Sequence, residues 1–197
     1  MRKWPYNLNK YIFMKSFKIL STVAIAILFV SLTYAQKAVT VGGAAMYPTK
    51  NIIENAVNSK DHTTLVAAVK AAGLVETLQG AGPFTVFAPT NAAFAKLPKG
   101  TVETLLKPEN IKTLQKILTY HVVAGKMNAK DIAKAINAGN GKATLNTVSG
   151  GKLVASMKGK SLILTDENGA VSTVTIADVN QSNGVIHVVD AVVTPKG

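Results

Sequence analysis

The spacing of apolar residues changes along the chain, from helical periodicity in the first half to alternation in the second. Apolar side chains three or four positions apart predict short helices. Suitable N-caps are Thr63 or Thr64, Thr90 or Asn91, and Asn128. Pro108 begins one segment, and Gly73 and Gly139 end two others. The predicted helices cover residues 51–58, 63–72, 74–78, 90–97, 101–106, 108–118 and 128–138.

Alternating or continuous runs of β-branched and aromatic residues predict strands between and after these helices. The predicted strands cover residues 83–88, 120–124, 143–148, 152–157, 161–165, 171–176 and 185–193. Asn168-Gly169 predicts a tight hairpin in which both central residues have positive φ. Helices first and antiparallel strands later, with short links, favour an α+β domain over a doubly wound parallel sheet.

The chain divides into three parts by composition. Residues 1–35 contain five basic and no acidic residues, then an apolar run, and end in Thr33-Tyr34-Ala35. This order predicts a secretory signal peptide cleaved after Ala35. Residues 36–46, with a Gly-Gly pair, predict a flexible lead-in, and residues 47–196 predict a single domain.

Two alternatives remain open for the amino-terminal segment. A retained membrane anchor is disfavoured, because the apolar run at 19–32 is shorter than the roughly 20 residues that a spanning helix needs. Met14 followed by Lys15 would itself begin a well-proportioned signal, so Met14 is a candidate true start. Either way, we expect no stable membrane anchor after cleavage.

Net charge limits the classes of partner that the sequence predicts, and cysteine content limits the kinds of site. Without the signal peptide, 22 − 5 = 17 basic residues face 10 acidic ones, a net charge of +7. The 17 are scattered lysines and no arginine follows Arg2, so nucleic-acid binding is not predicted. A mildly basic surface suits anionic polymers or cell envelopes. The absence of cysteine excludes disulfides, a cysteine nucleophile and a thiolate metal site.

The sequence carries no recognisable catalytic constellation. The glycine-rich nucleotide motifs, Gly-x-Ser-x-Gly and His-Glu-x-x-His are all missing. His62, His121 and His187 have no His or acidic neighbour at ligand spacing. We therefore expect no catalytic residues, no metal and no cofactor, and a non-enzymatic binding protein.

Three segments together resemble the fasciclin domain family, in the family's order. They are residues 84–94 (FTVFAPTNAAF), 118–125 (LTYHVVAG) and 183–195 (NGVIHVVDAVVTP), and the resemblance extends over residues 47–195. The residues that match the family's two outer blocks are Phe84, Thr85, Phe87, Ala88, Pro89, Thr90, Asn91, Phe94, Gly184, His187 and Asp190.

The resemblance implies a wedge-shaped β-sandwich with several flanking helices in the N-terminal half. It also implies adhesion to cell-surface or matrix proteins, or to polysaccharides of a matrix or biofilm. The predicted signal peptide indicates a secreted, periplasmic or cell-surface protein, and the lack of cysteine together with the Lys-rich signal indicates a bacterial source. Tyr120-His121 matches the family's adhesion motif, and Asp131-Ile132 resembles a dipeptide of integrin recognition. The alternative for both pairs is structural: Tyr120 and His121 packed inside, and Asp131 at a helix start.

A second function remains open. Some fasciclin-domain proteins bind carotenoids or other apolar molecules, and this domain is rich in Ala, Val, Leu and Ile that could line a groove. The alternative prediction is therefore a binder of a small apolar ligand such as a carotenoid or lipid. The oligomeric state cannot be read from the sequence.

Overall fold

A computed structural model describes residues 37–197. The predicted signal peptide, residues 1–35, and the candidate start at Met14 lie outside the described residues. The helices are α1 (Ile52–Ala56), α2 (Thr63–Ala71), α3 (Val75–Gln79), α4 (Asn91–Ala95), α5 (Thr101–Leu105), α6 (Ile111–Tyr120) and α7 (Ala129–Ala138), with 3₁₀ turns at Lys60–His62 and Pro108–Asn110. The strands are β1 (Val39–Val41), β2 (Ala44–Met46), β3 (Phe84–Pro89), β4 (Val122–Ala124), β5 (Lys142–Asn146), β6 (Lys152–Lys158), β7 (Ser161–Thr165), β8 (Val171–Gln181) and β9 (Gly184–Val189).

Seven of the strands form one mixed sheet in the order β4-β3-β9-β8-β7-β6-β5, while β1 and β2 form a separate hairpin. The pair β3–β9 is parallel, and the other pairs are antiparallel. The register of β8 against β9 shifts twice, between Val174 and Val179, and Asp178 there has φ of 60°. Such irregularities bend a strand, so β8 joins two halves of a folded sheet.

Two hydrophobic clusters cover the two faces of the central strands. Val86 of β3 and Ile186 of β9 face α1, α2, α3 and α6 and the β1–β2 hairpin. On the opposite face, Phe87 and Val189 meet α7 and the inner side of β5–β7, including Leu153. Since β9 is covered on both sides, all six of its residues are buried, which explains its near-continuous apolar sequence.

The segment predicted as a flexible lead-in is a β-hairpin instead. Val39 pairs with Met46, and the side chains of Val41 and Met46 are 2% and 3% exposed. Gly42 and Gly43 form the turn with φ of 58° and 78°. Two consecutive positive φ values favour a tight hairpin. The Gly-Gly pair therefore makes a defined turn rather than a loose linker.

Further predictions differ in detail from the structure. Tyr120 ends α6 rather than beginning a strand, and β4 begins at Val122. At Asn168-Gly169 the hairpin is present, but among the two residues only Gly169 has positive φ, at 83°. The buried Asp166 side chain accepts the N–H groups of Asn168 and Ala170 at 2.9 and 2.8 Å, which makes a wider turn. The last strand ends at Val189 rather than 193, while β8 continues to Gln181 rather than 176.

Candidate binding surface

The Tyr-His motif lies inside the domain. Tyr120 is fully buried, and its hydroxyl donates to the Lys152 carbonyl at 2.6 Å and accepts from the Glu167 N–H at 3.3 Å. Burial raises the pKa of Tyr120 to about 12. Tyr120 thus ties the end of α6 to the start of β6 and to the β7–β8 loop.

His121 connects α6 to the carboxyl-terminal segment. Nδ1 lies 2.9 Å from the Ile117 carbonyl, and Nε2 accepts from the Val193 N–H at 3.2 Å. This pair of bonds requires a neutral ring with the proton on Nδ1. Burial lowers the pKa of His121 to about 4. Neither side chain of the motif presents a surface to a partner.

Asp131 and Ile132 begin α7. The Asn128 side chain accepts from the Asp131 N–H at 3.0 Å, and the Asp131 carboxylate accepts from the Asn128 N–H at 3.2 Å. This reciprocal arrangement is a capping box. Ile132 is fully buried against the inner sheet face. The dipeptide therefore has a helix-start role in this fold.

Residues of the two outer family blocks meet on neighbouring strands. Phe87 and His187 are register partners, with ring centroids 5.6 Å apart. His187 Nε2 lies 2.9 Å from the Met127 carbonyl, and Nδ1 accepts from the Asp178 N–H at 3.3 Å. Burial lowers the pKa of His187. The ring therefore holds the β8 irregularity and the β4–α7 loop together.

The remaining block residues also have structural contacts. Thr85 Oγ1 donates to the Gly125 carbonyl at 2.7 Å and accepts from the Met127 N–H at 2.9 Å. Gly184 has no room for a Cβ beside the Phe84 backbone. Ala88 and Pro89 are buried in β3, and Phe94 is half-buried on α4. Thr90 caps α4, while the Asn91 side chain accepts from the Thr64 N–H and donates to the Lys60 carbonyl. The Asp190 carboxylate accepts from the Thr173 N–H.

The outward side of β5, β6, β7 and the start of β8 forms a different kind of surface, here called the outer sheet face. Cross-strand register places its side chains in two rows. One row is Lys142, Ser156, Ile163 and Thr173, and the other is Thr144, Val154, Thr165 and Val171, with Asn146 and Lys152 at one end and Lys158 and Ser161 at the other.

The outer sheet face combines lysines, hydroxyls and small aliphatic groups. Lys142, Lys152 and Lys158 are exposed, and none of the residues in these rows is acidic or aromatic. Glu167, in the β7–β8 loop, accepts the Lys152 N–H at 3.1 Å. Hydrogen bonds from the N–H groups of Lys196 and Lys152 lower the pKa of Glu167. Period-two alternation in β5–β7 signalled this face, although the sequence reasoning did not single it out.

Residues 37–197 contain neither a cluster of metal ligands nor a helix that could span a membrane. No three His, Cys, Asp or Glu side chains there lie close enough together to hold a metal ion. No helix in the same range has the length and apolar character needed to cross a membrane.

Comparison with known proteins identifies the fold family. The sequence model of a protein family, described as the fasciclin domain, matches residues 60–195, which is more than half of the chain. The chain belongs to the fasciclin domain family. This confirms the resemblance carried by the three segments. As a family, fasciclin domains are adhesion-type, non-enzymatic modules.

Individual relatives support the same assignment. The chain is 48% identical over 164 residues to protein sll1483 of Synechocystis, covering 81% of this chain and 82% of that protein. It is 32% identical over 161 residues to the cell surface glycolipoprotein MPB83 of Mycobacterium bovis, covering 79% and 64%.

A solved structure confirms the α+β wedge. The FAS1 domain pair of the insect cell adhesion molecule fasciclin I matches with a TM-score of 0.64 at 18% identity, covering 72% of this chain and 50% of that one. At this identity the match shows the shared fold alone.

Proposed function

We propose that this fasciclin domain is an exported, non-enzymatic adhesion module that binds an anionic polysaccharide of a cell surface, matrix or biofilm through its outer sheet face. The observation that carries the proposal is the combination of exposed Lys142, Lys152 and Lys158 with Thr and Ser hydroxyl groups in rows that contain no acidic residue. The proposal includes a secreted, periplasmic or cell-surface location, which is supported by the signal peptide predicted for residues 1–35.

The chemistry of the face favours a polysaccharide over a protein. Protein interfaces concentrate their binding energy in buried aromatic and arginine anchors, and the rows of the outer sheet face contain neither. Ammonium groups attract carboxylate or sulfate groups along a polymer, and Thr and Ser hydroxyls exchange hydrogen bonds with sugar hydroxyls. The net charge of +7 for residues 36–197 adds a long-range attraction of the same sign.

The names of relatives point in the same direction. Fasciclin I is called a cell adhesion molecule, and MPB83 is called a cell surface glycolipoprotein. Because Tyr120 and His121 are buried, a binding partner has to contact a different surface of the domain. The outer sheet face supplies one that is exposed and chemically distinctive.

Binding to alginate tests this proposal, with neutral dextran as the reference polymer. We expect the triple variant Lys142→Gln, Lys152→Gln, Lys158→Gln to bind alginate about tenfold more weakly, since each exposed ion pair contributes roughly 0.2–1 kcal/mol. Affinity should also fall as NaCl rises, because salt screens exposed charges. Affinity electrophoresis in alginate-containing gels measures both effects.

A matched control distinguishes binding by the outer sheet face from a general effect of net charge on binding. The variant Lys99→Gln, Lys107→Gln, Lys112→Gln removes the same charge from exposed positions around α5 and α6 and should retain alginate binding within about twofold. Equal losses in the two triple variants, or equal binding of dextran and alginate, would contradict the proposal.

A further inference from the structure

A glutamate side chain lies at one end of the outer sheet face. Val154 of β6 pairs with Thr165 of β7, and two further steps along this antiparallel register bring position 167 opposite Lys152. The Tyr120 hydroxyl bridges the two, since it bonds the Lys152 carbonyl and the Glu167 N–H. Side chains two positions apart share a face of a sheet. The exposed Glu167 therefore stands at the Lys152 end of the rows.

Two backbone donors from different segments hold the Glu167 carboxylate. Oε2 accepts from the Lys196 N–H at 3.0 Å, and Oε1 accepts from the Lys152 N–H at 3.1 Å. Gly151 leaves room for this approach, because a Cβ there would lie 3.3 Å from Oε2. Hydrogen bonds to an ionised acceptor are stronger than those between neutral groups. These two bonds lower the pKa of Glu167, so the carboxylate is ionised near pH 7.

Positive charge surrounds the same position. After the two hydrogen bonds, the charges of Lys116 and Lys152 also hold down the pKa of Glu167. Lys116 reaches this region from α6, where its Nζ donates to the Lys196 carbonyl at 3.1 Å. Backbone N–H groups that point at one place form a binding position for anions. Glu167 thus occupies, from within the chain, a position that suits the carboxylate of another molecule.

The neighbouring Asp166 has a different role. Its side chain is buried, and it accepts the N–H groups of Asn168, Ala170 and Thr194. A buried and fully bonded carboxylate cannot turn away without a large cost. Glu167 is exposed and can turn into solvent, where water replaces its two hydrogen bonds.

We propose that Glu167 is an internal competitor for the anionic polysaccharide, and that a carboxylate of the bound polymer displaces it from the Lys152 and Lys196 N–H groups. This inference rests on the proposed function of the outer sheet face and identifies an acceptor position at its Lys152 end. Lys158 lies six residues further along β6, at roughly 20 Å. A polymer held there presents its next carboxylates to the Glu167 position at high effective concentration.

Two variants that each remove one negative charge test the proposal in the full chain. They are Glu167→Ala and, as the matched control, Glu103→Ala at an exposed position of α5. We expect Glu167→Ala to bind alginate about tenfold more tightly than the unmodified chain, because the polymer no longer has to displace a charge-assisted acceptor. Glu103→Ala should stay within about twofold, since it changes net charge alone. Affinity electrophoresis in alginate-containing gels measures both.

A monomeric probe examines the Glu167 position without the rest of the face. D-glucuronate should shift the Lys152 and Lys196 amide resonances of Glu167→Ala at concentrations that leave those of the unmodified chain unchanged. The neutral sugar N-acetylglucosamine should shift neither. Glu167→Gln keeps one acceptor oxygen without the charge, so it should bind alginate with intermediate affinity, and it replaces Glu167→Ala if that variant fails to fold.

Two results would overturn the inference. One is an equal gain in alginate affinity for the Glu167 and Glu103 variants, which would mean that only net charge matters. The other is a glucuronate titration that leaves the Lys152 and Lys196 amides unshifted, which would make Glu167 solely a clamp for the carboxyl-terminal segment. If the unmodified chain does not prefer alginate to dextran, the proposed function fails, whereas the glucuronate shifts still decide the role of Glu167.

Discussion

At the scale of single residues, the buried histidines His62, His121 and His187 dominate the polar interior. Burial lowers the pKa of each one. His121 and His187 use both ring nitrogens to hold backbone groups of distant segments. These rings therefore act as neutral cross-links, and protonating them would cost hydrogen bonds as well as desolvation.

The pKa of His121 predicts acid-sensitive stability. The unfolded ring binds a proton below its ordinary pKa of 6.5, while the folded ring resists protonation until about pH 4. The free energy of unfolding is therefore highest above pH 6.5 and falls as the pH decreases toward 4, with about 3 kcal/mol from this residue at 1.36 kcal/mol per pKa unit. Urea denaturation at pH 7.5, 6 and 5 measures the decline.

The His121→Gln variant provides the comparison. A Gln carbonyl preserves an acceptor for the Val193 N–H but does not titrate. We expect this variant to be less stable than the unmodified protein at pH 7.5, and to lose less stability between pH 7.5 and 5. Parallel losses in the two proteins would show that His121 does not carry the pH dependence.

At the scale of elements, the β1–β2 hairpin closes the helical side of the domain. Its turn packs on the segment that precedes α2, where the Gly42 carbonyl accepts the Lys60 N–H at 3.1 Å. A Cβ on Gly42 would collide with Ser59 Oγ and approach the Asp61 nitrogen to 2.6 Å. The hairpin therefore supports the buried Ser59–His62 pair, whose Oγ and Nδ1 atoms lie 2.9 Å apart.

Gly42 and Gly43 form a matched pair for testing this contact. Both have positive φ, but a Cβ on Gly43 would meet no atom within 4 Å. Gly43→Ala should cost about 1–2 kcal/mol of left-handed backbone strain. Gly42→Ala should cost that amount plus about 1–3 kcal/mol for the collision. Denaturant unfolding of both variants measures the difference, and equal costs would mean that the hairpin turn does not contact Ser59.

At the scale of the whole molecule, charge is poorly compensated. In residues 36–197 there are 17 lysines and 10 acidic residues. Within the part of the chain that the structure describes, the single ion pair is Lys96–Asp190, at 3.5 Å and exposed on both sides. An exposed pair of this kind contributes little, whereas net charge repels itself in the compact state.

This imbalance predicts that NaCl stabilises the domain. Raising NaCl from 20 to 500 mM should increase Tm by about 2–4 °C, since screening of roughly 1 kcal/mol of repulsion corresponds to that shift in a domain of this size. Differential scanning calorimetry measures the change. The increase should shrink when the six lysines of the two triple variants are replaced together, and an undiminished increase would indicate an effect other than charge screening.

The sequence alone determined the positions of the helices and the main strands. Each of these depends on neighbours three or four residues away, or on a local cap such as Asn128 for α7. The sequence also carried the three segments of the fasciclin domain family, and with them the α+β class.

Tertiary structure decided what those residues do. Residues 39–46 become a hairpin because Val41 and Met46 find a core built from distant helices. Tyr120 and His121 are interior residues because their partners, Lys152 and Val193, lie 32 and 72 positions away. The outer sheet face exists only after strands and helices pack, since local periodicity does not specify which surface remains uncovered.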